Sequence, residues 1–259
     1  MIEHNFKKKF GQNFISDRNL LLAIANDAKI SRDDEVLEIG AGAGTLTQIL
    51  SENSKKVVSF EIDKDLKDRL LNLDLKNTTF IFDDIMNYDT KDIEKMFDGG
   101  YKLIANLPYY ITTPIIFKFL GESEKIDSLC IMVQKEVAER IIAKKNSKDY
   151  GVLSIMIDFY GDALVSRKVD RKNFYPVPNV DSAVVVIKID RNKHKNIDGK
   201  AFYNFIQTCF SMRRKTLKNN LLKLNVDKSK ILSLPENVLN SRPENFSTEE
   251  FISIYQKIL

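Results

Sequence analysis

The chain has 259 residues, 43% of them hydrophobic, which allows one large packed domain and a smaller one. A formal net charge of +4 permits a polyanionic partner without requiring one, so local clusters of charge carry the information. Two cysteines (Cys130, Cys209) and two histidines (His4, His194) offer no metal-ligand spacing, and neither a signal-peptide core nor a run of membrane-spanning length is present; the expectation is a soluble cytoplasmic protein with reduced thiols and no metal.

Residues 7–15 form a basic, amide-rich arm, Lys7-Lys8-Lys9-Phe10-Gly11-Gln12-Asn13-Phe14-Ile15. Ser16 is expected to cap a helix whose apolar face is Leu20, Leu21, Ile24, Ala25 and Ala28. A short buried strand, Glu35–Ile39, then leads into Gly40-Ala41-Gly42-Ala43-Gly44 and a helix from Thr45. Strand, glycine turn and helix together make a nucleotide-binding opening, because glycines let a ligand approach the backbone at the helix N-terminus. The dinucleotide fingerprint G-x-G-x-x-G is broken by Thr45, and the alternating glycines suit a nucleoside ligand without a pyrophosphate.

The next strand, Val57–Glu61, ends in an acid about 20 residues beyond the glycine turn, where a carboxylate takes ribose hydroxyls. Asp63 is placed to cap a helix. A third strand, Thr79–Phe82, ends in Asp83-Asp84, and Asp84 can accept from the amino group of an adenine ring. The strand Tyr101–Ala105 is stopped by Asn106-Leu107-Pro108-Tyr109, since proline cannot donate to a ladder. An Asn carbonyl and a backbone carbonyl can share one exocyclic NH2, and a Tyr ring can stack on a flat base. Polar groups thus recur at four successive strand ends, the edge where open α/β sheets bind ligands.

Downstream, a helix is predicted over 113–120, a strand over 128–133, and helices over 134–143 and 152–160. Two β-branched runs, 163–169 and 182–189, read as an antiparallel pair. Between them Phe174-Tyr175-Pro176-Val177-Pro178-Asn179-Val180 is held extended by two prolines; Phe174 is either a core residue or one face of a base-binding slot. Helices follow: an apolar stripe through Phe202, Phe205, Ile206, Cys209 and Phe210, a basic turn Arg213-Arg214-Lys215-Thr216-Leu217-Lys218, and a capping box Ser247-Thr248-Glu249-Glu250. The composition shift sets domains at 1–191 and 192–259. No internal repeat is visible.

Gln12-Asn13-Phe14, Glu38-Ile39-Gly40-Ala41-Gly42-Ala43-Gly44, Glu61-Ile62-Asp63 and Asp84-Ile85 resemble the S-adenosylmethionine motifs of the rRNA adenine N6-methyltransferases, and Asn106-Leu107-Pro108-Tyr109 resembles their catalytic motif. The segments 174–182 and 213–217 are similar to the KsgA type, the dimethyladenosine transferases of small-subunit (16S) rRNA. The resemblance covers essentially the whole chain. It implies an α/β, Rossmann-like methyltransferase sheet followed by a small all-helical rRNA-binding domain. It also implies S-adenosyl-L-methionine as cofactor, bound by Gln12, Asn13, Ile15, Gly40, Gly42, Glu61, Ile62, Asp84, Ile85 and Asn106. Catalysis would fall to Asn106, Leu107, Pro108, Tyr109 and Phe174. The implied partner is small-subunit rRNA within the immature 30S subunit, met by a monomer, with neither DNA nor membrane involved. The alternatives are a large-subunit rRNA methyltransferase of the resistance type and a non-catalytic ribosome-assembly factor. A dehydrogenase fails on the glycine pattern.

Overall fold

The computed structural model describes residues 14–15, 17–108 and 111–259. The chain divides into two compact units, one taking in the chain up to Ala138 and then Leu164–Ile189, the other Glu139–Ala163 and Asp190–Leu259. Composition changes near 192, yet the second unit also claims residues 139–163. The reason is aromatic: within that unit Phe159 stacks on Phe202 with ring centroids 4.7 Å apart.

In chain order come β1 (Phe14–Ile15), α1 (Arg18–Asp27), β2 (Glu35–Ile39), α2 (Thr45–Asn53), β3 (Lys56–Phe60), α3 (Lys67–Leu71), β4 (Thr78–Ile81), α4 (Thr90–Glu94), β5 (Tyr101–Asn106), α5 (Thr112–Glu122) and β6 (Ile126–Gln134). Then follow α6 (Lys135–Ile141), α7 (Val152–Tyr160), β7 (Gly161–Val169), β8 (Phe174–Tyr175) and β9 (Ser182–Ile189). Seven strands form one sheet in the order β4-β3-β2-β5-β6-β9-β7. The neighbours from β4 to β6 pair in parallel, whereas β9 runs antiparallel to β6. The two β-branched runs, β7 and β9, do lie side by side.

Parallel strands are covered on both faces, so they read as unbroken apolar runs. All five residues of β2 are buried accordingly. The chain lays β3 and β4 on one side of β2, then crosses to place β5 on the other side. At such a reversal the loops leaving two adjacent strands diverge, and a crevice opens at their carboxyl ends. Here the two strands are β2 and β5, which carry the glycine turn and Asn106.

Helices α1 and α2 bury Leu21, Ile24, Ala25, Leu46, Ile49 and Leu50 against Val36, Val57, Ile104 and Cys130 of the sheet. Each leucine, isoleucine or valine among them contributes about 1.5–3 kcal/mol through burial. The cap of α1 is Asp17, one residue after the expected Ser16; its carboxylate accepts from the Asn19 N–H at 2.9 Å and the Leu20 N–H at 3.4 Å. Ser16 itself lies outside the described residues. Arg167 on β7 forks onto Asp27 at 2.8 and 2.9 Å, fastening α1 to the sheet.

The second unit adds α8 (Gly199–Cys209), α9 (Leu217–Leu221), α10 (Lys228–Leu232), α11 (Glu236–Asn240) and α12 (Thr248–Ile258). Its core is aromatic: Phe205 meets Tyr255 at 5.4 Å and Phe251 at 6.3 Å. The capping box opens α12, with the Ser247 N–H donating to Glu250 at 2.7 Å and the Glu250 N–H to Ser247 at 3.3 Å. Cys130 and Cys209 are free and buried, and burial pushes the Cys130 thiol up to about 12. Among the described residues, no helix is long and apolar enough to cross a membrane.

Candidate active site

Strand β2 ends at Ile39 and the chain turns at once. The Gly40 and Ala41 N–H groups both donate to the Phe60 carbonyl at the end of β3, at 2.8 and 3.2 Å. Gly40 and Gly42 have φ of 84° and 56°, the left-handed region that a side chain resists. A Cβ on Gly40 would stand 3.5 Å from the Asn106 carbonyl oxygen, and one on Gly42 only 3.0 Å from the Phe14 ring. The turn is therefore pressed between the end of β5 and β1.

Glu61, directly after β3, is 4% exposed. One of its oxygens accepts the Gly42 N–H at 2.7 Å and the other the Asp63 N–H at 2.8 Å. Burial raises its pKa, against the pull of these two N–H groups. An ionised carboxylate has about four acceptor positions; the Ile62 N–H also acts on this one, which leaves about one for a ligand hydroxyl. Ile62 beside it is half-buried. After β4, Asp84 is half-buried and accepts the Met86 N–H at 2.9 Å, and Ile85 is buried.

Asn106 is the last residue of β5, and Leu107 is buried beyond it. The Pro108 carbonyl accepts from the Ile111 N–H at 3.2 Å and the Thr112 hydroxyl at 3.4 Å, which starts α5. Tyr109, Gln12 and Asn13 lie outside the described residues. A cleft of about 40 Å3 is lined by Phe14, Ile15, Gly40, Gly42, Leu46 and Asn106, among others. It brings together four residues expected at the site: Ile15, Gly40, Gly42 and Asn106. Glu61 joins them through Gly42, whereas Ile62, Asp84 and Ile85 stand at the neighbouring strand ends.

Phe174 is 3% exposed and packs in the core with Ile15, Leu21 and Val184. Of the two core-or-slot readings left open by the sequence, this structure shows the core position. The exposed ring of the segment is Tyr175, at 65%. Three further residues carry contacts for which the sequence assigns no individual role, although Phe14 and Glu38 stand within the motifs quoted above. Phe14 lies on Gly42. Asn220, fully buried, accepts from the Met212 N–H at 2.9 Å and the Ser211 hydroxyl at 3.1 Å, and donates to the Met212 and Thr216 carbonyls at 3.3 and 3.2 Å. It holds the basic turn.

The third is Glu38, an acid inside an apolar strand, a signal that the sequence did carry. It is completely buried; one oxygen accepts from the Thr47 hydroxyl at 2.7 Å and the Ser59 hydroxyl at 2.5 Å, and the other has no partner. Burial, reinforced by the charge of Glu61, raises its pKa to about 7 against those two hydroxyls. Among the described residues no group of three or more His, Cys, Asp or Glu side chains could hold a metal ion.

A reversing parallel sheet that carries a glycine turn, an acid and an Asn-Leu-Pro corner at one edge defines a Rossmann-like methyltransferase. A "Ribosomal RNA small subunit methyltransferase A" of Clostridium botulinum is 43% identical over 258 residues, spanning 96% of this chain and 92% of that one. A protein of the same name from Fusobacterium nucleatum is 39% identical, spanning 98% and 97%. Among solved structures, a dimethyladenosine transferase from Plasmodium falciparum superposes with a TM-score of 0.79 at 26% identity, covering 94% and 98% of the two chains. The 23S rRNA methyltransferase ErmE shares the fold, with a TM-score of 0.69 at 24% identity over 95% of this chain and 99% of that one. The pattern of one family matches residues 3–258, and the chain belongs to it: the ribosomal RNA adenine dimethylases.

Proposed function

We propose that this chain transfers methyl groups from S-adenosyl-L-methionine to N6 of two adjacent adenosines near the 3′ end of small-subunit rRNA. It would act as a monomer in the cytoplasm, on the immature 30S subunit. The observation that carries the reading is the meeting of Ile15, Gly40, Gly42 and Asn106 around one cleft in a chain of this family. The small-subunit target is favoured over the large-subunit one by relatives at 39–43% identity that bear a small-subunit name.

The residues present fit the cofactor. The turn at Gly40 and Gly42 is a cradle that a Cβ would fill, and Glu61 offers an unused acceptor position beside it. In this assignment Gln12 and Asn13 close over the methionine end, Ile15 lines the cleft, and Glu61 takes the ribose hydroxyls. Ile62 and Ile85 pack on the adenine, and Asp84 accepts its amino group. Bound there, the cofactor supplies an electrophilic methyl on a sulfonium with a neutral leaving group.

What the protein must then do is align the attack. Holding two reactants in near-attack geometry supplies on the order of 7–11 kcal/mol. Asn106 Oδ1 and a backbone carbonyl accept from the target N6-H, turning the nitrogen lone pair toward the methyl. Of the two carbonyls at the corner we assign Leu107, because the Pro108 oxygen already accepts from Ile111 and Thr112. Tyr109 stacks on the unstacked base, a contact of about 1–3 kcal/mol, and Phe174, the other aromatic expected at the slot, supports the 174–180 segment from the core. No general base is required, since the product ammonium loses its proton afterwards.

The sequence offers Lys7–Lys9, Lys144, Lys145, Arg167, Lys168, Arg171, Lys172, Arg213, Arg214, Lys215 and Lys218 to rRNA phosphate, and several of them are engaged within the protein. Arg167 is bound to Asp27, and Arg213 donates to the Lys148 and Tyr150 carbonyls at 2.8 and 2.9 Å. Lys145 pairs with Glu250 at 2.9 Å. Arg171 donates to the Asn179 carbonyl at 3.2 Å. Lys144, Lys168, Lys172, Arg214, Lys215 and Lys218 remain the candidates for phosphate, with the arm Lys7–Lys9 outside the described residues. The test is methyl transfer from labelled S-adenosylmethionine to unmethylated small subunits, with large subunits in parallel. Label as N6,N6-dimethyladenosine in small-subunit RNA is expected. Label only in large-subunit RNA would transfer the chain to the resistance-type reading, and no label with cofactor bound would leave an assembly factor.

A further inference from the structure

Strand β1 has two residues and pairs antiparallel with β8: Phe14 faces Tyr175 and Ile15 faces Phe174. Successive side chains on a strand point to opposite faces. Ile15 and Phe174 accordingly share the buried face, at 6% and 3% exposure, while Tyr175 stands outward at 65%. Phe14 belongs with Tyr175 by register. Its ring also lies against Gly42, so close that a Cβ there would be 3.0 and 3.2 Å from two of its carbons. Gly42 in turn gives its N–H to Glu61 at 2.7 Å. Glu61, Gly42, Phe14 and Tyr175 are thus linked in series, by a hydrogen bond, a ring contact and a strand pair.

We infer that Phe14 is a positioning residue: it transmits occupancy of the glycine-turn site to the 174–180 segment and so sets the place where the unstacked target base is received. This rests on the cofactor reading of the Gly42–Glu61 pair given above. A ligand changes a distant segment only if it interacts differently with that segment's two arrangements. Any ligand that takes up Glu61 or approaches Gly42 alters the surface on which the Phe14 ring rests. Ile15 and Phe174 anchor one face of this two-pair ladder in the core, so the outward pair, Phe14 and Tyr175, is the part left to respond. The position of Tyr175 therefore depends on what Phe14 packs against. Tyr175, Val177 and Val180 form the exposed apolar rim that would respond, at 65%, 57% and 43% exposure. By linkage, base binding must tighten the cofactor by the same factor as the cofactor tightens the base.

The chain contains no tryptophan, so Tyr175→Trp installs a lone fluorescent reporter on the rim. S-Adenosylhomocysteine is the probe, titrated by calorimetry and by emission in parallel, with affinity for unmethylated small subunits measured at zero and saturating probe. In Tyr175→Trp protein the emission is expected to move with the binding heat, and the probe to tighten subunit binding about tenfold, within the usual range for coupled sites. Adding Phe14→Ala should leave saturable binding heat but abolish the emission change and reduce the tightening to less than twofold. Phe14→Leu, which keeps an apolar contact on Gly42, should restore part of both and guards against a variant that fails to fold. An emission change and tightening that persist in Phe14→Ala would overturn the inference, as would binding heat in the parent with neither response. Absence of binding heat in the parent would remove the cofactor reading and this inference with it.

Discussion

Glu38→Gln is the perturbation whose size follows most directly from the structure. The carboxyl is completely buried and its pKa is raised from 4.5 to about 7, chiefly by burial and further by the charge of Glu61. A shift of that size, at about 1.4 kcal/mol per unit, corresponds to roughly 3 kcal/mol. The sign follows from proton counting. Between pH 4.5 and 7 the folded state holds the proton that the unfolded state has released, so stability falls as pH rises. The loss is absent below 4.5 and complete above 7. Glutamine cannot ionise, and its amide oxygen can still accept from Thr47 and Ser59. Its amide nitrogen would take the place of the unpartnered oxygen, a cost of about 1–3 kcal/mol that does not change with pH. The measurable quantity is therefore the change in the difference between the two proteins. Native-state hydrogen exchange of the β2 amides, Val36 to Ile39, reads the opening of the unit that contains Glu38. From pH 4.5 to 8 the variant should gain about 3 kcal/mol on the wild type. Parallel curves for the two proteins would refute the reasoning.

Three further outcomes follow from particular contacts. Glu61→Ala should weaken S-adenosylhomocysteine binding at least tenfold by calorimetry, whereas Asn106→Ala should abolish methyl transfer with a much smaller loss of binding; equal probe affinity for Glu61→Ala and wild type would remove Glu61 from the ribose role. Arg213→Ala should lower the melting temperature, because it strips donors from the Lys148 and Tyr150 carbonyls, yet leave the salt dependence of subunit binding nearly unchanged; Arg214→Ala should do the reverse, lowering the slope of log K against log salt by about one. Asn220→Ala should cost about 2 kcal/mol or more in urea unfolding, since buried partners in the basic turn lose their bonds, and weaken subunit binding with it.

The sequence alone determined the strand-turn-helix opening, the order of the polar strand ends and the family. Those features are local: glycine where φ must be positive, proline where a ladder must stop, apolar runs where strands are buried on both faces. Gly40, Gly42, Glu61, Asp84 and Asn106 could be named because each sits at a strand end, and strand ends are written in contiguous residues. The tertiary structure decided everything that depends on which distant residues meet. Only the crossing from β4 to β5 sets Asn106 beside the glycine turn. Arg167 and Arg213 look like phosphate ligands in a list of cations, and their capture by Asp27 and by two carbonyls emerges only across separations of 140 and about 65 residues. Phe14 reads as one residue of an arm until β1 pairs with β8, and residues 139–163 join the helical unit through distant contacts such as Phe159 on Phe202, Tyr150 beside Phe210 and Arg213 on the Lys148 and Tyr150 carbonyls. Local rules assign a conformation to each segment, but long-range packing chooses partners among many chemically equivalent side chains, and that choice is made by shape and burial in the folded state.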